Sequence, residues 1–149
     1  MKILFIGDIF GSAGRRIVRD HLQHVVESHK IDLVIANAEN SAGGFGLTPS
    51  IADELFDLGC EVLTTGNHVW DKREIIEYFN SVNGDPTGRP RRVLRPANYA
   101  EGVPGIGWYE GTTAAGQKFA HVSFSRRRIS RASRDSIKLP VCPSSAARS

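Results

Sequence analysis

The sequence predicts an α/β fold with a parallel β-α-β core, and three observations carry that prediction. Apolar runs of strand length recur at residues 2–7, 32–37 and 61–65, separated widely enough for a crossover helix in each gap. Stretches with apolar residues at helical spacing fill those gaps. Each run also ends on a small residue or glycine beside polar side chains: Gly7-Asp8, Asn37-Ala38-Glu39-Asn40 and Gly66-Asn67-His68. Open α/β sheets place their chemistry at the carboxyl ends of the strands, so these three junctions form the candidate site.

Ile3-Leu4-Phe5-Ile6 makes the first strand, and the loop after it runs from Asp8 to Gly14. Ile17, Val18, Leu22, Val25 and Val26 then recur with helical period over about 13–29. The second strand follows at once. The loop 38–47 holds Gly43, Gly44 and Gly46 and shows no period. Thr48 is placed to cap a helix whose first position is Pro49, where a missing N–H costs nothing. Ile51, Leu55 and Leu58 stripe this helix, and Gly59 ends it. After the third strand a helix is expected from Asp71 to about Phe79, with Glu74 closing a capping-box-like start. Residues 80–92 read as a polar, proline-containing loop. Val93–Tyr99 is a short edge strand whose pairing Pro96 limits. Residues 107–112 and 117–124 form a hairpin around Ala114-Ala115-Gly116.

At 149 residues and 40% apolar composition the chain is long enough for one domain with a core. The formal charge of +3 is unevenly placed. Residues 125–149 carry seven basic side chains against one acid, leaving 12 basic and 15 acidic residues in 1–124. The pI of 9.1 therefore belongs to the tail, and the body is mildly acidic. Serine and arginine supply 13 of those last 25 residues, so 125–149 reads as a disordered basic tail or a non-native continuation, such as a shifted reading frame would give. Residues 1–124 are the folded domain. Cys60 and Cys142 make no disulfide framework and no CxxC metal site, and Cys60 is expected in the core. Asp8 interrupts the apolar start, and no run reaches the ~18 apolar residues of a membrane span. The expectation is a cytoplasmic protein with no membrane partner.

Taken singly, the polar residues at the junctions have plain readings. An aspartate after a strand commonly caps the next helix, and Asn67 suits a turn. Together they make a different pattern, because three successive strands end in carboxylate, carboxylate-amide and amide-imidazole. Divalent cations favour oxygen and imidazole ligands of this kind. Glu39 is suited to bridge two metals about 3.5–4 Å apart. Asn67 offers a neutral amide oxygen. His68 is suited to give a proton to a leaving oxygen.

Gly7-Asp8, Asn37-Ala38-Glu39-Asn40, Gly66-Asn67-His68-Val69-Trp70-Asp71-Lys72 and Leu94-Arg95-Pro96-Ala97-Asn98 resemble the successive motifs of the YmdB-like, calcineurin-type metallophosphoesterases. The resemblance spans roughly residues 1–120, in order and with spacing preserved. It implies the N-terminal part of the calcineurin-like metallophosphoesterase fold and activity as a 2′,3′-cyclic-nucleotide 2′-phosphodiesterase. It further implies Asp8, Glu39, Asn40 and Asn67 as metal ligands, with Glu39 bridging, and His68 as proton donor. The implied cofactor is a dinuclear divalent centre, iron or alternatively manganese, whose bound hydroxide attacks phosphorus. The family's domain is longer, and its second half supplies three histidine ligands in HGE-type and HTH-type motifs. This sequence has no counterpart to them. Its one histidine after His68 is His121, inside a predicted strand. Half of a dinuclear site, and poor phosphodiesterase activity or none, are therefore expected.

Two other readings compete. A Rossmann-like nucleotide-binding module is suggested by Gly7, Gly11 and Gly14, but their spacing is G-x-x-x-G-x-x-G, and Asp8 would repel a pyrophosphate. A non-catalytic fragment could instead bind RNA through the basic tail, with salt dependence as its signature. Oligomerisation is compatible with all three readings.

Overall fold

The computed structural model describes residues 1–82 and 92–125. Most of the loop expected at 80–92, the tail from Arg126 and Cys142 lie outside the described residues. The chain is α/β, as the sequence predicts. Its elements are β1 (Ile3–Ile6), α1 (Gly11–His29), β2 (Leu33–Asn37), α2 (Pro49–Asp57), β3 (Val62–Thr64), α3 (Ile75–Val82), β4 (Arg92–Leu94), β5 (Trp108–Thr112) and β6 (Lys118–Val122). The first four strands form a parallel sheet in the order β1-β2-β3-β4, and β5 and β6 form an antiparallel hairpin.

The central strands are apolar on both faces, which is the composition of parallel strands buried from both sides. Leu4, Ile6, Val34, Ala36, Leu63 and Val93 face a core shared with helix residues Val18, Leu22, Leu55 and Phe79. Leu33, Ile35, Val62 and Leu94 face the other way and pack against Tyr109 and Phe119 of the hairpin. The hairpin covers the β3–β4 side of that face, and Leu94 extends a parallel bridge to Ile106. At β1 the same face is open: Ile3 is 48% and Phe5 55% exposed. Cys60 lies in the core, where burial pushes its thiol up to about 12.

Helix α2 begins as expected. Thr48 Oγ1 accepts from the backbone N–H of Ile51, with Pro49 in the first turn, a cap worth about 1 kcal/mol. Gly59 follows at φ 109°, a backbone conformation side chains rarely adopt.

Five expectations need correction. Helix α3 starts at Ile75, not Asp71, because residues 66–74 form successive turns closed by Val69 N to Gly66 O and Asp71 N to His68 O. Glu74 therefore closes no capping box at Asp71. Helix α1 starts at Gly11, two residues early, with Phe10 in the capping position and no side-chain cap. Ile17, expected in the apolar stripe, is 62% exposed, and Val18 and Leu22 carry the buried face. The fourth strand stops at Leu94. Arg95, preceding Pro96, leaves the ladder and donates its backbone N–H to Ile106 O.

Candidate active site

The parallel order brings the carboxyl ends of β1, β2 and β3 side by side. Ile9 N donates to Asn37 O, and Gly11 N to Asn40 O, lashing the loop after β1 to the loop after β2. Ala38 N donates to Thr64 O, tying β2 to β3 in the same way. All five sequence-predicted residues, Asp8, Glu39, Asn40, Asn67 and His68, lie at this edge. They fall into two groups.

Asp8 and Asn40 form the first group. Asn40 Nδ2 donates to both carboxylate oxygens of Asp8, at 2.9 and 3.0 Å. Asp8 does not cap α1, so the plain reading of that residue is not what the fold uses it for. Asn40 Oδ1 is buried without a hydrogen-bond partner. A buried acceptor left unpaired is costly and is normally satisfied by a water or an ion. Turning the amide over would set its oxygen against the Asp8 carboxylate, an arrangement that only a cation between them would favour.

Glu39, Gly66, Asn67 and His68 form the second. The Glu39 carboxylate lies against the backbone of the turn after β3, with His68 N–H pointing to Oε2 at 3.4 Å. Asn37 braces it, through a long contact of 3.5 Å from Nδ2 to Oε1. Gly66 makes the approach possible: a Cβ there would sit 2.3 Å from Glu39 Oε2 and 2.6 Å from Oε1. Tyr99 Oη donates to Gly66 O and holds the turn from behind.

A cleft of about 320 Å³ opens over this second group. Glu39 and Asn67 line it, together with Phe5, His121, Ser123 and Phe124. Asp8, Asn40 and His68 lie outside its lining. His68 instead turns its ring to Asp71, with Nδ1 2.7 Å from Oδ2, and meets the edge of Phe45 at a centroid distance of 5.3 Å. Phe45 is delivered by the loop 38–47, whose three glycines all take positive φ.

Sequence reasoning misses three residues of the site. It takes Asp71 for a helix start, although a spacing of three from His68 suits a turn contact. Asn37 enters it only as part of a motif. His121 reads as a strand residue, and nothing local signals that β6 folds over the sheet.

The donors at this edge are mainly oxygens, the kind that hard divalent cations favour. Among the described residues no group of three or more His, Cys, Asp or Glu is placed to hold a metal ion. Two close cations repel strongly and need more anionic or imidazole ligands than Asp8 and Glu39 supply.

Residues 4–136 match the family described as YmdB-like protein. The chain belongs to that family. It is 41% identical over 107 residues to a 2′,3′-cyclic-nucleotide 2′-phosphodiesterase of Bacillus subtilis (strain 168), covering 72% of this chain and 38% of the relative. Among solved structures it resembles a hypothetical protein from Thermus thermophilus, with a TM-score of 0.72 and 35% identity over 83% of this chain and 44% of the other. A novel phosphatase from Mycoplasma pneumoniae gives a TM-score of 0.70 at 29% identity, over 83% of this chain and 42% of that one. The chain thus spans less than half the length of these relatives. The family match over residues 4–136 includes the three junctions described above.

Proposed function

We propose that residues 1–124 carry the oxygen-donor half of a metal-dependent phosphodiesterase site acting on 2′,3′-cyclic nucleotides. The observation that carries this reading is the seat of Glu39. A carboxylate held under a glycine turn, beside an exposed amide and at the mouth of a cleft, is built to face a charged ligand rather than to stabilise the fold. The name of the Bacillus subtilis relative supports the substrate class.

In this reading Asp8, Glu39, Asn40 and Asn67 hold a divalent cation, with iron or manganese the expected metals. A bound cation supplies Lewis acidity toward a phosphoryl oxygen. Gly66 keeps Glu39 at its station. His68, oriented by Asp71, gives a proton to the leaving oxygen. A dinuclear centre needs ligands beyond those the described residues offer, so the chain by itself turns over slowly.

The test is hydrolysis of bis-p-nitrophenyl phosphate and 2′,3′-cyclic AMP by the full 149-residue chain, with and without added manganese or ferrous iron. Slow turnover that needs the metal and disappears in Asp8→Ala supports the reading. Turnover that persists without metal, or in Asp8→Ala, contradicts it.

A further inference from the structure

His121 reaches the cleft by strand alternation. Residues 119, 121 and 123 share one face of the β6 segment and its continuation, because successive side chains alternate. Phe119 lies in the apolar cluster with Leu33, Ile35, Val62 and Leu94. Ser123 Oγ donates to Thr65 O, one residue before Gly66. His121 sits between these anchors and lines the same cleft as Glu39 and Asn67.

The state of this imidazole is unusual for a structural histidine, which normally spends its ring N–H on a carbonyl or carboxylate. The His121 ring makes no hydrogen bond among the described residues, although it is half-buried. Burial also lowers its pKa below the ordinary value. An imidazole with uncommitted ring nitrogens, lining one cleft with a carboxylate and an amide, is of the kind that ligates a metal.

We propose that His121 is a further ligand of the proposed cation, reaching it from the cleft beside Glu39 and Asn67, and that this cation is a borderline one such as zinc, cobalt or iron. The proposal rests on the reading of Glu39 and Asn67 as ligands and adds selectivity to it. An imidazole added to the oxygen donors favours the borderline metals, whereas magnesium and calcium prefer oxygen donors and would gain little from His121. The cleft leaves room for water on the remaining coordination positions.

The experiment titrates the full chain, His121→Gln and Glu39→Gln with zinc, cobalt and magnesium, each metal alone, by calorimetry. Ring ¹⁵N spectra of the histidines are recorded on the unsubstituted protein with and without zinc. Zinc should move one ring nitrogen of His121 to the position of a metal-bound imidazole. His121→Gln should weaken zinc and cobalt about tenfold or more, since even groups that only orient a ligand are worth about 10–100-fold. Magnesium affinity should be nearly unchanged, which also reports that the variant is folded. If His121→Gln loses every metal through unfolding, the ring-nitrogen spectra of the unsubstituted protein decide. An unmoved His121 nitrogen, with zinc binding lost only in Glu39→Gln, overturns the role of His121 and leaves the cation site standing. Zinc binding indifferent to both substitutions overturns both.

Discussion

Asp71 Oδ2 lies 2.7 Å from His68 Nδ1, and this contact fixes the imidazole at the carboxyl edge of the sheet. The two residues are three apart in a run of turns, not in a helix, so the contact is a product of the turn geometry after Gly66. A carboxylate on Nδ1 selects the tautomer and orientation of the ring.

Under the proposed function the contact would make Asp71 a positioning residue, and a full-length family member is the place to measure it. The counterpart of His68→Ala there should lower kcat by about 10²–10⁴-fold while metal content stays near that of the parent enzyme. The counterpart of Asp71→Asn should cost about 10–100-fold in kcat with little change in KM. Both losses should be largest for esters with poor leaving groups, which need the proton most. Equal loss of metal and activity in the histidine variant would make His68 a ligand instead.

Gly66→Ala separates the site from the fold. The backbone at Gly66 has an ordinary φ, so the cost is the contact with Glu39, whose carboxylate is the mobile end of a flexible side chain. Glu39 should swing away while the sheet survives. We expect a melting temperature within a few degrees of the parent chain but manganese affinity lowered about tenfold or more. Unchanged affinity would mean that Glu39 is not held by this turn in the bound form.

The sequence made the scaffold legible and part of the site. Thr48-Pro49 located a helix start to the residue, because the cap is a local contact between a side chain and its own first turn. The apolar runs located the first three strands, and β2 and β3 are largely apolar because they are buried on both faces. The convergence of Asp8, Glu39, Asn40, Asn67 and His68 followed from strand order alone. The start of α3 did not follow, because turns and a helix onset share the same polar residues between Asn67 and Glu74. Neither did the role of Asp71 or the facing of His121, since both depend on where one side chain meets another across the fold. The open face at Ile3 and Phe5 also breaks the pattern, since these apolar residues belong to a core-type strand and yet are about half exposed.

Glu61 gives a prediction on pH. It begins the turn into β3, with its backbone N–H bonded to Val34 O, and partial burial raises its pKa above the usual 4.5. A raised carboxyl pKa in the folded state means the protonated form is favoured there. Its contribution to stability is fully present below about pH 4.5 and is lost as pH rises through the folded pKa. Glu61→Gln should therefore raise the melting temperature by a few degrees at pH 8 and leave it unchanged at pH 4. Scanning calorimetry at the two pH values checks this, and a gain confined to pH 4 would contradict it.

The central claim is that the strand ends of this chain make one cation site, and counting bound manganese tests it most directly. Manganese(II) titrated into the full chain, with free ion followed by its electron paramagnetic resonance signal, should give one bound ion per chain. Asp8→Ala and Glu39→Gln should each weaken that binding about tenfold or more. Two tightly bound ions, or one whose binding survives both substitutions, would contradict the account.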